Sequence, residues 1–88
     1  MADIGIDCTQ QGSGWLCRVT VRDAGTQTQH EVSISQEEMT RYGASTSSVV
    51  ALVNEAFAFL LEREPKESIL RQFALSDIER YFPEFGPS

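Results

Sequence analysis

The 88-residue sequence is short of the residues on which metal, membrane and nucleic-acid sites depend. It has two cysteines and one histidine, one ligand fewer than the four that a structural zinc site takes. No apolar run approaches the roughly 18 residues of a membrane span. Seven basic residues against 13 acidic ones give a formal charge of −6, which disfavours contact with phosphate backbones. We therefore expect no metal, no cofactor, no nucleic-acid partner and no membrane.

The first third of the chain alternates in polarity and predicts three β-strands. Successive side chains of a strand point to opposite faces of a sheet. The strands cover residues 3–9, a stretch that starts at Trp15, and residues 28–35, with turn-forming residues between them. Because both connections are short, the strands form an antiparallel meander with an apolar inner face and a polar outer face.

The turns also predict how the strands align. A turn centred on Ala24 and Gly25 places Val19 opposite His30. The turn over residues 11–14 places Cys8 opposite Cys17. A slip of one residue would move every apolar side chain to the polar face, so this register is strongly specified. The same alignment gives the pairs Val21 with Thr28, Cys17 with Val32, Trp15 with Ile34, and Arg18 with Glu31.

After Ser35 the apolar spacing changes to that of helices. The capping box that begins at Ser35 predicts a short helix, which Gly43 is well suited to end. A main helix follows over residues 48–63, with its N-cap at Thr46 or Ser47.

Pro65 ends the main helix and suits the first turn of a new one. The spacing predicts a third helix over residues 65–73, and a second capping box at residues 76–79 predicts a short last helical turn. The apolar side chains that the third helix would bury are Ile69, Leu70 and Phe73.

These patterns define a single α+β domain over residues 1–88. An antiparallel three-stranded β-meander (residues 1–35) precedes a helical part (residues 36–82), and residues 83–88 form a loose tail. We expect three to four helices packed on one face of the sheet.

The C-terminal half carries the motifs FLLEREP (residues 59–65), SIL (residues 68–70) and IERYFP (residues 78–83). With these motifs it resembles a group of small uncharacterised prokaryotic proteins of no assigned activity. The resemblance covers the C-terminal third to half of the chain. It implies a self-standing bacterial or archaeal protein, and it supplies no catalytic residue.

Cys8, Cys17 and His30 are the side chains that could carry chemistry. On the inner face, the cysteines are expected as small core residues and the histidine as a buried, hydrogen-bonded one. One alternative is a cross-strand redox pair of the two cysteines. Another is a nucleophilic Cys17 beside His30. With no signal peptide we expect a cytoplasmic protein, where a structural disulfide is unexpected.

The apolar arc of the main helix is wider than one core face requires. Either neighbouring helices wrap it, or a second molecule covers a strip formed by Leu52, Phe59 and Arg63. We therefore predict a non-enzymatic interaction or regulatory module acting through an apolar helix surface, with a protein partner or a homo-oligomer such as a dimer. The alternative is a small enzyme or ligand-binding protein that uses Cys17 and His30 in a sheet–helix cleft.

Overall fold

The computed structural model describes residues 2–43 and 48–86. They form an α+β fold with one sheet, whose strand order is β1-β2-β3-β4. In chain order the strands are β1 (Asp3–Gln11), β2 (Gly14–Asp23), β3 (Thr26–Ile34) and β4 (Gln72–Ala74). The α-helices are α1 (Gln36–Tyr42), α2 (Val49–Leu61) and α3 (Asp77–Tyr81), and 3-10 turns form at Lys66–Ser68 and Pro83–Phe85.

The first three strands form the predicted antiparallel meander. Every predicted cross-strand pair is present, including Cys8 with Cys17 and Val19 with His30. The second turn has positive φ at both central residues, 56° at Ala24 and 80° at Gly25. Two positive φ angles are the mark of a type I′ turn, whose twist matches that of the flanking strands. The local turn chemistry therefore fixes the register.

The core lies on one face of the sheet, beneath α2. The inward residues of β2 and β3, among them Val19 and Val32, are almost completely buried. Across from them, α2 buries Val53 and Phe57 with no exposed surface. The outer face of the sheet is exposed or half-buried, as its polar sequence predicts. The remaining buried apolar residues are Cys17, Val21, Ile34, Leu52, Ala56, Leu60, Ile69, Phe73, Leu75 and Ile78.

The third helix predicted over residues 65–73 is wrong. Its first part is a single 3-10 turn, and the chain then extends into β4, which runs parallel to β3. The open edge of β3 offers backbone groups that an extended segment can pair with. Glu31 donates its N–H to the carbonyl of Arg71 at 2.7 Å, and Leu75 donates to Ser33 at 3.0 Å. This pairing outweighs the local helical spacing.

Of the three helix N-caps predicted from the sequence, one is present and two differ. The capping box of Ser35 and Glu38 is present. The N-cap of α2 is Ser48, later than the expected Thr46 or Ser47, which lie outside the described residues. The second capping box is wrong: Ser76 has a helical backbone (φ −65°, ψ −17°) and makes no side-chain cap bond, and the Glu79 carboxylate binds α1.

Residues 83–85, which belong to the segment expected as a loose tail, fold into a 3-10 turn against the helices. The ring of Phe85 stacks on Tyr42 at 5.4 Å between centroids and lies 5.2 Å from the ring of Phe59. No helix of the described residues is long and apolar enough to cross a membrane.

Candidate functional site: an apolar groove beside the fourth strand

A groove of about 360 Å³ opens between the end of α2, the first 3-10 turn, β4 and α3. Its walls are mostly apolar, which sets it apart from the larger cleft between α1 and α3, where charged side chains dominate. Apolar concavities of this size are the usual places where ligands and partner side chains bind. The apolar lining consists of Leu60, Ile69, Leu70, Phe73, Ile78, Tyr81 and Phe82.

Leu70 presents an apolar side chain to solvent from a fixed backbone. Its side chain is 50% exposed, although the neighbouring Ile69 is buried. The Leu70 carbonyl accepts a hydrogen bond of 2.8 Å from Nδ1 of His30, so this nitrogen carries the proton. The other ring nitrogen then accepts from the Thr28 hydroxyl at 2.8 Å. A buried histidine therefore anchors the wall of the groove.

Burial lowers the pKa of His30, an effect that the hydrogen bond to Leu70 opposes and the nearby Arg71 charge reinforces. The imidazole is only 2% exposed, and its ring packs 5.4 Å from that of Phe57. In this setting the neutral ring is favoured, which matches the one-donor, one-acceptor role that its two hydrogen bonds require.

Tyr81 lies on the wall that α3 supplies and is 69% exposed. Short polar contacts hold this helix in place. Glu38 of α1 accepts from the N–H of Ser76 at 2.7 Å and of Ser35 at 2.8 Å. Partial burial alone would raise the pKa of Glu38, but these hydrogen bonds prevail and lower it. One ionised carboxylate thus joins α1 to the start of α3.

Glu79 makes a second connection between the same helices. Its carboxylate accepts from the Tyr42 hydroxyl and, through both oxygens, from Arg41 at 3.1 Å. The hydrogen bond from Tyr42 lowers the pKa of Glu79 most, desolvation opposes it, and the hydrogen bond and charge of Arg41 lower the pKa further. At the start of α3, Asp77 accepts from the N–H of Ala74 at 3.0 Å and ties the helix to β4.

The three residues predicted for an interface are not one exposed strip. Leu52 is only 2% exposed and belongs to the core, so its assignment to the interface is corrected. Phe59 is half-buried, with the rings of Phe82 and Phe85 beside it at 6.0 and 5.2 Å. Arg63 is exposed, and its guanidinium lies 3.5 Å from the centroid of the Phe59 ring. Neighbouring segments of the chain therefore cover much of the wide apolar arc of α2.

Cys8 and Cys17 form a disulfide across β1 and β2, with Cα atoms 4.0 Å apart. The expectation of two separate core thiols is thus corrected in favour of the alternative, a cross-strand pair. Cys17 has no exposed surface, and both ring nitrogens of His30 already hold hydrogen bonds. In this state Cys17 and His30 supply no thiolate nucleophile and no free base.

Sequence reasoning missed both exposed apolar residues of the groove, Leu70 and Tyr81. A helix over residues 65–73 would bury Leu70 with Ile69, whereas an extended backbone sends neighbouring side chains to opposite sides. The available signal was the tripeptide Gln72–Ala74 next to a strand edge, which is too short to indicate a strand without the partner. Within residues 2–43 and 48–86, no three His, Cys, Asp or Glu side chains are grouped to hold a metal ion.

Comparison with known proteins adds no family to this geometry. A scan against protein-family models gives no match, and searches of curated proteins and of solved structures give none either. A functional assignment therefore depends on the groove and on the charges around it.

Proposed function

We propose that this chain is a non-enzymatic protein-interaction module that docks a segment of a partner protein in the apolar groove beside β4. The observation that carries the proposal is the exposure of Leu70 and Tyr81, 50% and 69%, in the lining of an apolar concavity. Interfaces draw most of their binding energy from a few side chains, and tyrosine is among the most frequent of these.

The way in which the walls are held also supports this use. His30 fixes the backbone of Leu70, and Glu38 and Asp77 fix the start of α3. A groove whose backbone is already ordered loses little conformational freedom when a partner binds. The proposed docking surface replaces the strip of Leu52, Phe59 and Arg63, since Leu70 and Tyr81 are exposed whereas Leu52 lies in the core.

A partner of a different kind suits the groove better than a second copy. Each chain carries a formal charge of −6, so two copies repel one another at close range. The cytoplasmic location predicted from the sequence stays a prediction. The disulfide of Cys8 and Cys17 weighs against it, because the cytoplasm of most cells keeps thiols reduced.

The test uses a phage-displayed library of random 12-residue peptides selected against the folded protein. We expect enriched sequences with large apolar residues, and Leu70→Glu should weaken their binding by about tenfold or more, as loss of an interface anchor does. Val50→Glu is the matched control, since Val50 is another exposed apolar residue, at 44%, and does not line the groove. Failure to enrich any sequence, or equal losses in both variants, would overturn the proposal.

A further inference from the structure

Glu64 is the charged group in the groove that has no counter-charge. It is half-buried, follows the end of α2 by three residues, and lines both this cavity and a second cleft beside the turn between β2 and β3. Its carboxylate forms no ion pair with any residue of the described parts of the chain. The other carboxylate of the groove differs, since Asp77 already lies 3.6 Å from Arg80.

The cations near Glu64 in sequence are engaged elsewhere. Arg63 lies over the ring of Phe59 and donates to its carbonyl at 2.9 Å. Lys66 is buried and pairs with Glu67 at 2.8 Å. Rotation of either side chain toward Glu64 would break one of these contacts. The chain therefore leaves this carboxylate to water when the groove is empty.

When a segment docks in the groove, the surroundings of the Glu64 carboxylate change. A docked segment removes water from the cavity and with it part of the hydration of the carboxylate. An uncompensated charge at a covered site is costly, whereas a paired and hydrogen-bonded one is tolerated. Binding of a purely apolar partner would include the full free-energy cost of removing water from this carboxylate. A partner with a cation beside its apolar side chain would offset that cost.

We infer that the groove recognises a basic amphipathic segment of a partner protein, with a large apolar anchor and an arginine or lysine that pairs with Glu64. The inference rests on the proposed docking function and adds the chemistry of the partner. The acidic balance of the whole chain favours the same partner, because it attracts basic segments over longer distances. In a helical segment, the cation and the anchor would stand three or four residues apart, the spacing that brings side chains together on one face.

Repeating the peptide selection with Glu64→Gln at physiological ionic strength tests this inference. Against the wild-type protein, enriched peptides should carry Arg or Lys at a fixed distance from the apolar anchor. Against Glu64→Gln, the anchor should remain and the fixed basic position should disappear. Glu55→Gln is the matched control, because it removes one negative charge from an exposed position on α2 outside the groove.

Fluorescence anisotropy then measures the affinity of a labelled peptide that was selected against the wild-type protein, and from it the contribution of the pair between Glu64 and the basic residue. Glu64→Gln and replacement of the peptide's basic residue by Gln should each weaken binding about five- to tenfold, and together no more than either alone. Glu64→Lys should recover binding of a peptide that carries Glu at that position. Circular dichroism confirms that the variants fold.

The outcomes separate the two proposals. Apolar peptides without a fixed cation, or equal affinities of Glu64→Gln and Glu55→Gln, would overturn the basic partner and leave the docking groove in place. A selection with no enrichment, or with peptides indifferent to Leu70→Glu, would remove the docking function and this inference with it.

Discussion

The two hairpins of residues 3–34 and the C-terminal segment of residues 62–86 are held in place by different kinds of interaction. Nine register pairs join β1 to β2 and nine join β2 to β3, whereas three join β3 to β4. The disulfide adds a covalent link within the hairpins. The C-terminal segment depends instead on a few long-range hydrogen bonds and on buried apolar side chains such as Phe73 and Leu75.

The difference bears on the local stability of the two regions. A continuous ladder of short-range pairs forms a stable platform, since each pair supports its neighbours. A segment attached at separate points opens more easily, and regions that bind partners are drawn from this less stable part of a structure. The groove lies in the C-terminal segment, and the hydrogen bonds of His30, Glu38 and Asp77 keep its walls ordered.

Reduction of the disulfide should have the largest effect, and it acts on the hairpins. The bond joins cysteines nine positions apart, and closing a loop of this length contributes about 2–3 kcal/mol to stability. Urea unfolding with and without reductant measures the change. Hydrogen exchange should quicken in β1 and remain unchanged in β4 if the two regions are held independently.

The control is the double variant Cys8→Ala/Cys17→Ala, which should not respond to reductant. Equal acceleration of exchange in β1 and β4 would show that the platform and the C-terminal segment unfold as one unit. The comparison between the two regions would then lose its physical basis.

The same division explains which parts of the structure could be predicted from the sequence. In the hairpins, alternation and turn residues act over a few positions, so local reasoning placed even the pairing of Val19 with His30 correctly. In the C-terminal segment, the decisive partners are about 40 positions away: His30 for Leu70, Glu31 for Arg71, and Glu38 for Ser76. A local pattern contains no information on such partners, and the third helix and the second capping box were wrong for this reason.

The candidate site follows the same rule. The predicted interface was inferred from the periodicity of α2 alone, which shows that one side is apolar but not what covers it. Leu52 is covered by the core, and Phe59 by Phe82 and Phe85. The sequence near Glu64 shows only a stretch of charged residues, and the place of Glu64 in the groove depends on β4 and α3.

The second prediction concerns the hydrogen bond from His30 to the Leu70 carbonyl, which joins the hairpins to the C-terminal segment. His30→Leu places an apolar side chain in the core but leaves the Leu70 carbonyl without its donor. This should lower the free energy of unfolding by about 1–3 kcal/mol. His30→Asn can restore a donor at the position of Nδ1 and should recover part of the loss. Urea unfolding at pH 7.5 measures both variants, and equal stabilities for the two would contradict the anchoring role.

The pH dependence sharpens this prediction. Because burial lowers the pKa of His30 in the folded protein, the unfolded chain takes up the proton first. The contribution of His30 to stability is therefore full above about pH 6.5 and declines as the pH falls toward the folded-state pKa. Neither His30 variant should show this part of the decline between pH 7.5 and 5.5, whereas a decline identical to that of the wild type would contradict the assignment.

The smallest expected effect concerns Glu38, whose carboxylate caps α1 and holds the N–H of Ser76. Glu38→Ala should cost about 1 kcal/mol, the usual value of a helix cap, and hydrogen exchange should quicken at Ser76. Since its pKa is lowered on folding, its contribution is present above about pH 4.5 and is lost as the pH falls through the folded-state value. Glu37→Ala is the matched control, because Glu37 is exposed in the same helical turn. If both variants unfold at the same urea concentration, at pH 7 and at pH 4, the Glu38 contact does not hold the groove wall, and the contacts of Glu79 with α1 and the pairing of β4 must do so.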